Sequence, residues 1–366
     1  MTWRIARNIS EILQKAADGN GIDRAEAITL MGVDPLSKEG YALMQTADCL
    51  SRQTFKNKGE SHFHIGVNVE PCPMDCRFCS LTKGAGIFTE RTEFPYAQVL
   101  AWAKLAEARS ADALNIMTTG TYSFEKLLEI GKLLKAAVST PLVANTRDIS
   151  HKEGERLSEA GFVGFYHAVR LGEGRDTPFS REKRIHTLRV LRDVGLLWMN
   201  CVEPVGPEHS HEEIVDLMFL AREYRATYSG AMRRINFTGS PMSKYGMVNE
   251  LELAKITSVS RLVMGDIPKA HCTHEPNVPS LMAGANLLFP EVGSSPRDDR
   301  ADSSEGIGRD AKDCRKMLLE LGWNPDLPSN CFETTAAKTI QGAPDERPPQ
   351  RIYIGRSQNL SSFGRT

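Results

Sequence analysis

Three cysteines crowd into one short stretch, Cys72-Pro73-Met74-Asp75-Cys76-Arg77-Phe78-Cys79, with three residues between the first two thiols and two between the last pair. A single compact loop can bring three sulfurs together at that spacing, and soft thiolates suit zinc or an iron–sulfur cluster. Structural zinc usually takes four protein ligands, commonly as two separated Cys-x2-Cys pairs. No further cysteine or histidine follows before His151, so the three-thiolate set leaves one metal position open. The other cysteines, Cys49, Cys201, Cys272, Cys314 and Cys331, are scattered. That distribution is unlike the disulfide framework of a small secreted domain and predicts reduced thiols.

A reactive loop needs a rigid mount. Residues 64–69 read as a strand, and the cysteine loop leaves its carboxyl end. Strands are expected again at 113–117, 141–145, 163–167, 197–201, 234–237, 267–270 and 286–289, with helices at 95–109, 124–137, 180–194, 212–225 and 250–263. Alternation of this kind argues for parallel strands joined by crossover helices. The pattern predicts an α/β fold, a (β/α)8 TIM-type barrel, whose chemistry sits at the carboxyl ends of the strands. Residues 1–58 read as an N-terminal helical extension covering one end of the barrel, 59–322 as the barrel, and 323–366 as an irregular, polar tail of weak order.

Composition bounds the function. A chain of 366 residues, 41% hydrophobic, is large enough for a barrel core, and a formal net charge of -1 gives no global field for nucleic acid or an anionic membrane. No apolar run approaches the ~20 residues of a membrane-spanning helix. The opening residues, Met1-Thr2-Trp3-Arg4, do not read as a secretory signal. A cytoplasmic location is expected, with neither nucleic acid nor membrane as partner.

The Cys-x3-Cys-x2-Cys spacing, with Phe78 just before the third cysteine, resembles the signature of the radical S-adenosylmethionine (SAM) superfamily. Further stretches are similar to the branch that holds biotin synthase, the biotin-synthase-like maturase of [FeFe] hydrogenase and methylornithine synthase: Phe237-Thr238-Gly239-Ser240-Pro241-Met242, Met282-Ala283-Gly284-Ala285-Asn286, and Leu287-Leu288-Phe289-Pro290 with Ser295-Pro296-Arg297. The resemblance implies a complete or partial radical SAM barrel in which Cys72, Cys76 and Cys79 hold a [4Fe–4S] cluster and SAM chelates the fourth iron. It implies Phe78 against the adenine, and His167, Arg170 or Arg181 toward the ribose and methionine carboxylate. It implies reductive SAM cleavage and hydrogen abstraction from a small-molecule or carrier-bound substrate, fed by a donor such as ferredoxin or flavodoxin.

Two departures matter. The family's acidic element after the second strand, which receives the methionine amino group, is replaced by Thr118-Thr119-Gly120-Thr121; Thr119, Gly120 and Thr121 become the candidates there. Of the strand-end cysteines that carry the auxiliary cluster of biotin synthase, only Cys201 has a counterpart, so an auxiliary cluster is not expected. Cys201, His271 and Cys272 are candidates for the reaction itself, and Asn145, Asn200, Arg234 and Asn236, polar at expected strand ends, for substrate. Sulfur insertion of the biotin or lipoyl synthase kind stands first, a maturase-like or methylornithine-synthase-like rearrangement second. A non-catalytic iron–sulfur scaffold is the reading from another class.

Overall fold

The structure, a computed structural model, describes residues 4–332. Eight parallel strands close into a barrel: β1 (Glu60–Gly66), β4 (Ala113–Met117), β5 (Leu142–Asn145), β6 (Phe162–Tyr166), β7 (Leu197–Met199), β9 (Tyr228–Arg233), β10 (Ala270–Thr273) and β11 (Leu287–Leu288), which returns to β1. Three short strands border the mouth: β2 (Asn68–Val69) pairs antiparallel with β3 (Thr92–Glu93), and β8 (Val202–Val205) lies beside β9. A fourth, β12 (Glu291–Gly293), extends the β11 side along β1.

Side chains alternate across each barrel strand. On β1, Phe63 and Ile65 join the apolar layer under the helices. Their neighbours turn inward: His62 meets the Tyr228 and Phe289 rings, and His64 lines the mouth. The interior packing is built from Val143, Tyr166, Met199, Cys201, Tyr228, Cys272 and Phe289, all buried.

The crossover helices are α4 (Tyr96–Ala108), α5 (Phe124–Ala137), α6 (His151–Glu159), α7 (Arg181–Val194), α8 (His211–Glu223) and α9 (Glu250–Met264). Ser123, Ser150, Ser180, Ser210 and Asn249 each accept a backbone N–H at the start of one of them, worth about 1 kcal/mol apiece. The N-terminal helices α1 (Arg7–Ala17), α2 (Arg24–Met31) and α3 (Lys38–Thr54) lie on the flank, α2 along α8 and α3 along α9. The expected end cap is therefore a side brace, pinned by the buried Arg261 of α9, which donates to Ser51 and Thr54.

Three strands stand earlier or later than sequence suggests: the first runs over 60–66 rather than 64–69, because the chain breaks at Val67 and continues as β2, which pairs with β3 instead. The sixth barrel strand is 228–233 rather than 234–237, because Ser229-Gly230-Ala231 lacks the branched side chains that mark a strand. A Cβ on Gly230 would lie 1.8 Å from the Cys272 carbonyl oxygen, so β9 approaches β10 closely only with glycine there. Arg234 has already turned away toward Glu208 and the Gly246 carbonyl. Likewise β10 begins at Ala270, since Ile267 N–H still closes the turn after α9.

The floor of the barrel is covered by the segment after α11 (Ala311–Glu320). Trp323 is 1% exposed, the Lys58 ammonium donates to the Pro325 carbonyl, and Ser329 and Asn330 donate to the Glu60 carboxylate. This part of the expected tail is docked; residues 333–366 lie outside the described ones.

Candidate active site

The cysteine loop leaves β2 and folds back on itself. Cys72 N–H donates to the Leu81 carbonyl at 2.9 Å, Lys83 N–H to the Cys72 carbonyl at 2.9 Å, and Cys79 N–H to the Cys76 carbonyl at 3.0 Å. Asp75 takes a left-handed backbone at φ 51° and receives Gly84 N–H at 2.9 Å. Neighbouring loops clamp both flanks: Arg77 N–H donates to the Asp176 carbonyl and Ser80 N–H to the Pro296 carbonyl, each at 2.9 Å.

All three cysteines line one cavity at the carboxyl ends of the strands, the end of such barrels where chemistry sits. Of the other residues singled out from sequence, Phe78, Thr119, Gly120, Asn145, Arg170 and Arg234 also line it. Gly120 presses against the loop so closely that a Cβ would meet Met74 Cγ at 2.7 Å. Thr121 stands just behind, bonded to Glu70.

The rest fall elsewhere. His167 turns away, 3.1 Å from the Arg184 carbonyl and 3.6 Å from Asp148. Arg181 is exposed at the first position of α7, whereas Arg184, one turn on, is buried and reaches the cavity; helical periodicity alone distinguishes the two. Asn200 donates to Ser229, and Asn236 is bonded to Arg234 and the Gly246 carbonyl. Cys201 and Cys272 lie inside the barrel below the cavity, fully buried, while His271 faces outward to the Thr257 carbonyl of α9.

Sequence reasoning passed over the acids and His64, while His274, grouped with Cys201, His271 and Cys272 as candidates to converge at the mouth, is the one of that group on the cavity wall. Glu70, 2% exposed, accepts from the Thr119 and Thr121 hydroxyls with one oxygen and pairs with Arg91 at 2.7 Å through the other. A carboxylate thus stands behind the threonines where the acidic element is missing. Its signal was an acid two positions before the first cysteine. Glu203 holds Arg170 at 3.0 Å and accepts from Tyr166 at 2.5 Å. Burial acts to lower the Arg170 guanidinium pKa, but Glu203 and Glu173 more than offset it and hold the group charged. Opposite stand His64, His274 and Glu291, the last paired with Arg297.

Burial lowers both histidines' pKa, so they are neutral at pH 7. Both His64 ring nitrogens, His274 Nδ1 and Glu291 Oε2 lack any hydrogen-bond partner. Buried groups of this kind are normally satisfied, and a polar ligand in the cavity would satisfy them.

The donor set discriminates between metals. Burial pushes the Cys76 thiol up to about 11 and Cys79 to about 12, so metal binding must displace their protons. Among the described residues the trio of ligating atoms found within 4.8 Å of one another is Glu60, His62 and Cys331. Three thiols lining one open cavity suit the iron corners of an iron–sulfur cluster with one corner left free.

The chain matches no family model. It is 23% identical over 269 residues to the biotin synthase of Carboxydothermus hydrogenoformans, covering 70% of this chain and 82% of that one. It is 25% identical over 271 residues to the biotin synthase of Pelotomaculum thermopropionicum, covering 70% and 81%. Among solved structures, methylornithine synthase (PylB) superposes with a TM-score of 0.73 at 16% identity, over 87% of this chain and 98% of that one. The FeFe-hydrogenase maturase HydG of Carboxydothermus hydrogenoformans gives 0.72 at 13% identity, over 86% and 78%.

The chain resembles the biotin synthase branch of the radical SAM superfamily.

The sequence matches and the cysteine spacing carry that resemblance, and the structural neighbours share the barrel. The cavity over Cys72, Cys76 and Cys79 is the candidate active site. Among the described residues no helix is long and apolar enough to cross a membrane.

Proposed function

We propose that this enzyme cleaves SAM reductively at a [4Fe–4S] cluster held by Cys72, Cys76 and Cys79, and abstracts hydrogen from a small polar substrate in the biosynthesis of a cofactor or metabolite. The observation that carries the reading is one cavity lined by all three thiols and by unpartnered polar atoms. A cluster held by these thiols would supply the low-potential electron, delivered by a donor such as ferredoxin or flavodoxin, for reductive cleavage of the sulfonium.

The chain's own residues bind, orient and exclude water. The Thr119 and Thr121 hydroxyls donate hydrogen bonds to Glu70, and Thr119 Oγ1, which also accepts from Asn68 Nδ2 at 2.8 Å, keeps one lone pair to accept from the methionine ammonium. Gly120 lets that segment sit against the cysteine loop. Phe78, with the Arg170 guanidinium carbon 6.0 Å from its ring centre, forms an apolar wall for the adenine. Arg184 and Arg170 are the cations nearest the methionine carboxylate, in the place sequence had given to Arg181.

Substrate lies toward His64, His274 and Glu291, with Asn145 on the opposite wall. Carbon-centred rearrangement or fragmentation is favoured over sulfur insertion, because Cys201 and Cys272 lie beneath the cavity rather than on its wall.

Anaerobic reconstitution followed by iron and sulfide analysis, with dithionite-driven turnover of SAM, tests the proposal. Four irons per chain and formation of 5′-deoxyadenosine are expected, both lost in Cys76→Ala. Turnover retained in that variant overturns the ligand assignment. A full cluster without turnover makes the chain an iron–sulfur scaffold instead.

A further inference from the structure

The barrel has a second cluster of ligating side chains, at the end opposite the cavity. Glu60 and His62 are two apart on β1 and so point the same way, into the floor of the barrel. Cys331, from the segment that closes the floor, meets them there. One oxygen of Glu60, one ring nitrogen of His62 and the Cys331 sulfur lie within 4.8 Å of one another, all buried. His62 Nε2 is 3.6 Å from Glu60 Oε2, close to the edge of a tetrahedron with metal–ligand distances of about 2.0–2.3 Å.

His62 supplies an independent sign that something is bound. The side chain is fully buried among the Tyr228, Phe289 and Phe332 rings, and among the described residues neither ring nitrogen has a hydrogen-bond partner. Such an orphan in a tightly packed floor calls for an ion or a water. The soft Cys331 sulfur beside the imidazole and the carboxylate favours the ion.

We infer that Glu60, His62 and Cys331 form a structural site for one divalent metal ion of borderline softness, zinc being the reference. One oxygen, one imidazole nitrogen and one thiolate make three of the four donors zinc takes, the fourth place falling to a water. A dication neutralises the Glu60 carboxylate and the Cys331 thiolate together, leaving Asp112 with Lys58. The site ties the closing segment to the first barrel strand. It lies at the floor, the end of such barrels that serves stability, and it is independent of the cluster loop and of the reaction proposed above.

The test uses the full chain with Cys72, Cys76 and Cys79 all changed to serine, so that no metal read-out comes from the loop. Cobalt(II) added to this apoprotein should bind at one per chain and show a thiolate-to-cobalt charge-transfer band. X-ray absorption should give one sulfur and at least one imidazole in the first shell. Stoichiometric zinc should raise the melting temperature by several degrees and compete the cobalt away. Adding Cys331→Ser should abolish the charge-transfer band and most of the thermal shift. A first shell without sulfur in the triple-serine protein overturns the site whether or not the Cys331 variant folds; so does a band that survives Cys331→Ser.

Discussion

At the residue scale, Glu70 alters what the sequence alone implies. Thr118-Thr119-Gly120-Thr121 has no acid, yet the structure sets a buried carboxylate from the preceding strand end directly behind two of its hydroxyls. Hydrogen bonds to a charged group are worth about 1.5–3 kcal/mol, so the orientation of those hydroxyls depends on the charge. Glu70→Gln is expected to raise the KM for SAM about tenfold while leaving the iron content of the reconstituted protein unchanged. Steady-state 5′-deoxyadenosine formation beside an iron assay separates the two. A proportional loss of iron would make Glu70 a support of the cysteine loop instead. Gly120→Ala, which drives a Cβ to 2.7 Å from Met74, should impair both measures, because it displaces the loop that carries the thiols.

At the scale of elements, the legible parts were those set by periodicity and by local chemistry. Helix α5 and strand β4 lie where their patterns put them, and the cysteine loop announces itself by spacing alone. Strand β9 was displaced because its small residues are dictated by contact with β10, a partner some forty positions away that no local window includes. Glu203 was hidden for the same reason, since it gains its meaning from Arg170 and Tyr166, more than thirty positions earlier; Glu291 is held by Arg297 only six positions on, and its place beside His274 is what the sequence does not reveal. Gly230→Ala is expected to abolish soluble, folded protein, as judged by circular dichroism and gel filtration.

Helix α6 offers a finer measurement. Glu153 closes a capping box with Ser150 and pairs with Arg147 at 2.6 Å. Burial works to raise its pKa, but those hydrogen bonds outweigh it and hold the carboxyl down at about 2. A folded value below the unfolded one of about 4.3 means stabilisation that is complete above about pH 5 and fades as pH falls toward 2. Discounted for solvent screening, it amounts to about 1 kcal/mol. Urea unfolding of wild type and Glu153→Gln apoprotein should show a gap at pH 7 that narrows by pH 3.

For the whole molecule, the barrel divides its labour between its two ends. The mouth gathers thiols, unpartnered imidazoles and paired arginines around an open cavity, while the floor is closed by Trp323 and the residues after it. Trp323 is 1% exposed and packs with Leu281, Leu288 and Leu318. Trp323→Ala should cost about 3–5 kcal/mol by the usual price of emptying a packed aromatic site, read from urea unfolding of the apoprotein. SAM turnover at low temperature should persist, since the cavity lies at the other end.

Glu60 opens the first barrel strand, and its partner Asn330 comes 270 positions later. While the polypeptide is still emerging from the ribosome, every strand of the barrel can be in place before the carboxylate at its base meets the backbone that will cover it. The catalytic end is therefore finished first and the underside last. A nascent chain paused between these two events presents an acid-lined opening to water, which makes docking of residues 323–332 the step on which completion of this barrel waits.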